Sequence, residues 1–409
     1  MVDFKPQENS KHKKKPLRIA VIGARAIPND YSGLERSCEL LFPLLAERGH
    51  DVTVYCRPGA VSDKRESYRG VRLVVTPALE GRSIETISHA ITSLTHAITH
   101  ARYDVIHFHA LAPNLLTPIS RVARVPAVAT VHGLDWQRAK WEGLASRVLK
   151  LSEKLMVRYA DEIICVSRDM QEYYLQTHNR ATTYIPNGMD LSKKEVRSPR
   201  ESLRPFGLSE KPYIVFVGRL VPEKRVHDLI KAFARVDSEY RLAIVGDGRH
   251  SQEYADLLRN LARTDHRVVF TGHQSGEALS ALQSHAAIYT SPSELEGLPN
   301  AVLESMTCGV PVVLSDIPPH RELLSDVDGY DLFFPVGDTV ELADRLKLVT
   351  ANPQKYRKVA LRARAAAEQH FSWPDVAAST EQVYYRAARS RVKSAVPRPC
   401  SVIAPYRDR

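Results

Sequence analysis

Short apolar runs rich in valine, isoleucine and other β-branched residues recur along the chain from Arg18 onward. Between them lie longer stretches whose apolar positions return every three or four residues. The first kind suits buried strands and the second amphipathic helices. In the first half, strands are predicted at 18–23, 51–56, 71–76, 104–109, 127–131, 162–166 and 182–185. A second series is predicted at 213–217, 241–245, 267–271, 287–290, 311–315 and 332–334. Strand and helix alternating from end to end predicts α/β architecture, with parallel sheets covered by helices. The polar, proline-bearing stretch Asp190 to Pro212 interrupts the alternation and reads as a linker. Two Rossmann-like domains are therefore expected, at 17–189 and 213–373, facing one another across a cleft. A helix over 374–395 is expected to return to the first domain, with basic disordered tails at 1–16 and 396–409. The helical segment from about Leu144 to Tyr159 sets Leu144, Val148, Leu151, Leu155 and Tyr159 along one stripe and Arg147, Lys150, Lys154 and Arg158 along the next. That is the pattern of a domain helix with a solvated face, or of a basic surface resting on anionic lipid.

With 409 residues, 44% of them hydrophobic, the chain can fill two cores. Its formal net charge of +10 would suit nucleic acid, but the distribution argues against that partner. Residues 1–16 carry five lysines against Asp3 and Glu8, and residues 386–409 carry seven basic side chains against Asp408. About one unit of net charge is left for the body. The basic ends read as solvated tails able to add weak attraction to an anionic membrane. No run approaches the roughly 18 apolar residues of a membrane span, and the lysine-rich start lacks the apolar core of a signal peptide. A cytoplasmic location is expected, with the inner membrane face as a peripheral site. Cys38, Cys56, Cys165, Cys308 and Cys400 show no paired spacing, so neither a zinc site nor a disulfide framework is indicated.

Ligands of such sheets bind beyond the carboxyl ends of the strands, which directs attention to the segments after each run. In Ser293-Glu-Leu-Glu-Gly-Leu-Pro-Asn-Ala-Val-Leu-Glu304, the step Gly297-Leu298-Pro299 ends an extended run. Pro299 suits the first position of a helix that continues through Asn300. Glu296 then lies in the loop and Glu304 on the helix, with free N–H groups and the positive dipole end between them, a seat for phosphate. Gly218, Arg219 and Lys224 follow the first strand of the second domain and bring two cations to the same sheet edge, or lie there as solvated charges. After the first strand of the chain, a long loop from Gly23 carries Arg25, Tyr31, Ser32 and Gly33. It lacks the spacing of a dinucleotide turn and is a candidate contact for an acceptor or for the far end of a donor. His132 with Gly133 follows the fifth strand, where the imidazole could hydrogen-bond a sugar or phosphate oxygen or serve structure alone. His107 and His109 share one face of their strand and read as packing residues, since no third metal ligand accompanies them. Asp326 and Asp328 lie in a polar turn.

In this order, the segments from Arg18 to about Trp373 resemble a GT-B fold glycosyltransferase of family 4, the retaining, nucleotide-sugar-dependent class. The most specific match is Glu296 to Glu304 continuing through Gly309 and Pro311. Ile185-Pro-Asn-Gly-Met-Asp190, Gly218-Arg219 with Lys224, and Phe371-Ser-Trp add to it. The resemblance implies that Arg219 and Lys224 hold the donor diphosphate, Glu304 the ribose hydroxyls and Glu296 a hydroxyl of the transferred sugar, with His132 approaching that sugar. It implies same-face attack by an acceptor hydroxyl, with no metal or other cofactor and the nucleotide sugar as co-substrate. Arg225 departs from the glycine the family commonly has after the lysine. The loop from Gly23 to Glu35, with Leu134 to Trp141, resembles a subgroup of rhamnosyltransferases and related exopolysaccharide enzymes. Synthesis of exopolysaccharide, lipopolysaccharide or another bacterial cell-surface glycan, with a glycan or lipid-linked acceptor, is the expectation that follows. A sugar-nucleotide epimerase of similar fold and a non-catalytic nucleotide-sugar sensor are the alternatives. A retaining glycosidase would hold its two carboxylates about 5 Å apart and has no use for Arg219 and Lys224.

Overall fold

The computed structural model describes residues 15–28, 32–61, 65–81, 84–137, 143–189, 198–236, 238–249 and 251–393. Tyr31, the tails at 1–14 and 394–409, and linker residues 190–197 lie outside these. The strands of the first sheet are β1 (Arg18–Ile22), β2 (Asp51–Cys56), β3 (Ser67–Tyr68), β4 (Val71–Val75), β5 (Val105–His109), β6 (Ala127–Val131), β7 (Glu162–Cys165) and β8 (Thr183–Tyr184). They lie in the order β3-β4-β2-β1-β5-β6-β7-β8. The second sheet holds β9 (Tyr213–Val217), β10 (Arg241–Val245), β11 (Val268–Gly272), β12 (Ile288–Ser291), β13 (Val312–Ser315) and β14 (Phe333–Phe334), in the order β11-β10-β9-β12-β13-β14. Every pairing is parallel except β3 with β4.

Why these runs became strands is visible in their burial. Val105 to His109 and Ala127 to Val131 are buried at every position, as the covered centre of a parallel sheet requires. The edge strand β3 was not expected. It is two residues long, turned back onto β4 by Arg69 and Gly70, both at positive φ, the conformation of a tight hairpin. Within the predicted linker, the described residues hold a helical turn at Pro199–Leu203 followed by a 3-10 turn at Arg204–Phe206.

Strand order reverses beside β1 in the first sheet, between β2 and β5, and beside β9 in the second, between β10 and β12. Open parallel sheets present a crevice at such reversals. The segments leaving β1, β5, β9 and β12 are therefore the ones the fold sets around a ligand. The chain passes between the domains at two adjacent places. The Met189 N–H donates to the Phe371 carbonyl at 2.6 Å, and a Cβ on Gly188 would lie 2.5 Å from the Trp373 ring. The helix Trp373–Lys393 then packs on the first domain, where Glu381 binds Arg48 (2.7 Å) and His50 (2.9 Å), and Arg386 reaches Glu162 at 3.1 Å.

The helix Gly143–Tyr159 corrects one expectation. Its buried residues are Leu149, Ser152, Glu153 and Met156, while Leu144 and Leu151 are exposed. The stripe read as its apolar side is not the side that packs. Ser152 and Glu153 are admitted to the interior because each has a partner: the Ser152 hydroxyl donates to the Leu111 carbonyl at 2.6 Å, and the Trp136 indole N–H donates to Glu153 at 2.8 Å.

Candidate active site

The second-domain half of the cleft starts where β9 and β10 end. The Gly218 N–H donates to the Val245 carbonyl at 2.9 Å, and a Cβ on Gly246 would lie 1.8 Å from the Gly218 carbonyl oxygen. Backbone meets backbone here, and Arg219 follows directly, half-buried. A 3-10 turn at Pro222–Lys224 comes next. Arg225 closes it at φ +50°, the left-handed conformation that glycine adopts without strain. Its guanidinium holds Asp228 at 2.7 Å and Glu294 at 2.9 Å, contacts that offset the conformational cost. The departure at Arg225 therefore keeps the turn that a glycine would give.

Lys224 forms an ion pair with Glu296, and both side chains are largely withdrawn from solvent. Burial alone would raise the Glu296 carboxyl. The Lys224 ammonium, the nearby His320 ring and hydrogen bonds from Lys224 and Ser293 outweigh it, so Glu296 is held below the usual carboxylate range. His320 is fully buried, with Nδ1 at 3.1 Å from the Ser315 hydroxyl and 2.9 Å from the Ser315 carbonyl. Burial pulls its imidazole down to about 4 although the Glu296 charge opposes the shift.

Past Glu296 the chain turns at Gly297 and buries Leu298 in the core. Pro299 caps the helix Asn300–Thr307 in an extended conformation instead of occupying its first turn, one position from the expected register. Glu304 lies on this helix and accepts from Gln283 Nε2 at 3.1 Å. Gln283 is itself buried, so its hold on the carboxylate is fixed by the core. Glu296 and Glu304 thus stand on either side of one helix start, each oriented by a different neighbour.

From the first domain, His132 follows β6, and its Nε2 lies 3.0 Å from Nδ1 of His109. His109 and His107 are buried on one face of β5, rings 4.1 Å apart, and His107 bonds Tyr384 and Thr130 at 2.7 Å each. Burial drives His107 to about 3 and His109 well below the ordinary imidazole range, so both are neutral donors and acceptors at physiological pH. A Cβ on Gly23 would lie 2.3 Å from the His109 carbonyl, which draws the exits of β1 and β5 together. Ser32 caps the helix Gly33–Glu47, accepting from the Leu34 N–H and bonding Glu35. The Arg25 N–H binds Glu35 at 3.2 Å, and its guanidinium lies 3.7 Å from Glu85, which also holds Arg57 at 2.9 Å.

The two halves meet. A Cβ on Gly297 would lie 1.9 Å from the His132 carbonyl oxygen. Asn300 donates to the Gly33 carbonyl at 3.1 Å and accepts from Asn187 at 2.8 Å. The structure therefore gathers His132, Gly297, Gly33 and Asn300 at one junction, with Lys224, Glu296 and Glu304 along the second-domain side. The amide of Asn300 is spent on the junction itself. Gln283, His320, His109 and Asn187 were not singled out for this site. The first two lie 21 and 24 positions from the carboxylates they serve, with no local motif to mark them. Among the described residues no group of three or more His, Cys, Asp or Glu side chains is placed to hold a metal ion.

Chemically, two cations and a helix start can balance the charge of a diphosphate, and carboxylates on both sides can accept hydroxyl donors. Comparison with known proteins agrees with that character. Residues 31–193 match the model for Glycosyltransferase Family 4, and residues 200–366 match Glycosyl transferases group 1. Glycogen synthase of Mycobacterium tuberculosis is 28% identical, with 91% of this chain and 95% of that protein aligned. The GDP-mannose-dependent alpha-mannosyltransferase of Mycolicibacterium smegmatis is 27% identical over 80% of this chain and 90% of its own length. In fold, the chain is similar to sucrose-phosphate synthase from Thermosynechococcus elongatus, with a TM-score of 0.80, 22% identity and coverage of 91% and 100%. It is also similar to Anabaena HepE in complex with UDP-glucose, with a TM-score of 0.76, 21% identity and coverage of 90% and 99%.

Proposed function

We propose that this chain, which is a glycosyltransferase of the GT-B fold, moves a sugar with retention of configuration from a nucleoside-diphosphate sugar to an acceptor hydroxyl. The observation that carries the reading is the Lys224–Glu296 pair beside the helix start that leads to Glu304. In this reading Arg219 and Lys224 hold the diphosphate, Glu304 the ribose and Glu296 a hydroxyl of the transferred sugar. Gly218, Gly297, Leu298, Pro299 and Asn300 shape the donor seat, and His132 approaches the sugar from the first domain. Arg25, Ser32 and Gly33 line the side from which an acceptor would enter.

Negative charge grows on the leaving diphosphate as the sugar takes on oxocarbenium character. Fixed cations and helix N–H groups lower that barrier without a metal ion. The departing phosphate accepts the acceptor proton as the new glycosidic bond forms on the same face. Closure of the two domains would keep water from the donor. The reading extends to a glycan or lipid-linked acceptor in cell-surface polysaccharide synthesis, on the cytoplasmic side of the membrane.

The test is a screen of nucleotide sugars with and without a lipid-linked acceptor, in the presence of a chelator. Release of nucleoside diphosphate together with a new glycoside of retained configuration is expected. A changed donor epimer formed without any acceptor would identify an isomerase, and tight donor binding with no product would identify a sensor.

A further inference from the structure

The exposed face of the helix Gly143–Tyr159 is unusual in chemistry. Leu144, Arg147, Leu151, Lys154 and Arg158 follow one another at three- and four-residue intervals, so they form a single stripe along the helix. The opposite face is the one that packs, through Leu149, Ser152, Glu153 and Met156. Leu144 is 76% exposed and Leu151 49% exposed. The neighbouring helix Thr117–Val122 packs beside it and adds Val122, 83% exposed, and Ile119, 46% exposed, with Arg121 and Arg124 also at the surface. Among the described residues of the two helices the one carboxylate is Glu153, and it is buried. Aliphatic side chains and charges of one sign are thus mixed on one surface.

We infer that the surface formed by helices Gly143–Tyr159 and Thr117–Val122 docks on a bilayer of anionic phospholipid. Basic side chains on such a surface are attracted to anionic headgroups, and leucine and valine between them can enter the boundary of the acyl chains. Nucleic acid would use the charges and leave the aliphatic groups in water. A lipid surface uses both.

The surface is also wired to the cleft. Glu153, on the packed side of the longer helix, accepts from the Trp136 indole at 2.8 Å, and the Lys150 ammonium lies 4.9 Å from the centre of the same ring. Trp136 belongs to the short segment Asp135–Gln137 that follows His132. Docking would therefore seat the His132 loop close to the membrane, where a lipid-linked hydroxyl could reach it. That consequence rests on the transferase reading; the docking does not.

The test uses the full-length protein and needs no donor or turnover, so failure of the transferase reading leaves it standing. Co-sedimentation is measured with vesicles of phosphatidylcholine alone and of phosphatidylcholine mixed with phosphatidylglycerol. Binding is expected with the anionic vesicles only, weakening steeply as salt rises. Two double variants, Arg147→Glu with Lys154→Glu and Leu144→Ser with Leu151→Ser, alter exposed positions and are expected to leave the thermal melt unchanged. The charge variant should lower vesicle affinity at least about tenfold, and the leucine variant should lower it severalfold. Both retain the basic tails. If the native protein fails to bind anionic vesicles, or if both variants bind as it does, the inference is overturned.

Discussion

Replacing Lys224 by methionine keeps most of the side-chain volume and removes the charge that Glu296 pairs with. Its consequences can be worked from the burial of the two groups. The side chains are 18% and 10% exposed, so little solvent screens the pair. Breaking a buried pair from one side costs about 3–5 kcal/mol, because the remaining charge is stranded. Glu296 can avoid part of that cost by taking up a proton. In the native protein its carboxyl is held below the usual range by Lys224. The stability it contributes is present above the unfolded-state carboxylate pKa and lost as pH falls through the lower folded value. Without Lys224, burial dominates and the folded pKa rises above the unfolded one, so the sign reverses. The variant should lose stability as pH rises from the carboxylate range toward neutrality. At neutral pH a deficit of about 3 kcal/mol corresponds to roughly 6–12 °C in melting temperature for a domain of this size. At about pH 4.5 most of it should vanish. Thermal melts across that range measure the first effect. The second is read at pH 7 and saturating donor, where loss of one charge stabilising the leaving diphosphate should lower kcat about 10²–10³-fold. A melting deficit that does not change with pH, or a native turnover rate, would refute the reasoning.

Three further outcomes are expected. Glu304→Ala should raise KM for the donor with a smaller effect on kcat, and Gln283→Leu should do the same more weakly by releasing the carboxylate; steady-state kinetics with the active nucleotide sugar separates the two parameters. Gly297→Ala places a methyl group where the His132 carbonyl oxygen lies 1.9 Å away, so the loops must part. Turnover should fall while the separate domains keep their melting behaviour, and small-angle scattering should show a larger radius of gyration. His89 and His320 are buried with folded values of about 4, and His107 with one of about 3, all below an unfolded value near 6.5. The unfolded chain binds more protons in this window, so stability should fall as pH drops from about 6.5 toward 4, and His320→Gln should flatten that slope in a pH series of melts.

Much of the fold was legible because strands such as Arg241–Val245 and Ala127–Val131 are short, mostly apolar runs rich in β-branched residues, which stand out from the helices around them. Strand β3 was not, because two residues carry no periodicity and only the Arg69-Gly70 turn marks them. The packed side of Gly143–Tyr159 differs from the apolar stripe of its sequence for another reason. Apolarity alone favoured the leucine stripe, whereas the fold buries Ser152 and Glu153 once Leu111 and Trp136 supply their partners. At the cleft, Glu296, Lys224 and His132 could be found from their positions after strands. Gln283 and His320 could not, since their roles come from contacts made only when β12, β13 and their helices are side by side.

The electrostatics of Glu296 also bear on which chemistry the cleft can run. A general acid must carry a proton near neutral pH, and enzymes that use a carboxyl in that role raise its pKa by burial away from cations. Here burial is accompanied by Lys224 and the net effect is the opposite: Glu296 is held ionised. The same depression makes it a weak base, since basicity falls with pKa. The acid half of a glycosidase pair is therefore not available at this position. An ionised carboxylate locked to an ammonium remains able to accept a hydrogen bond from a sugar hydroxyl, and the ammonium remains able to meet a phosphate. With Glu296 unsuited to take the acceptor proton, the proposed reaction assigns that task to the leaving diphosphate, whose basicity would grow as the bond to the sugar breaks.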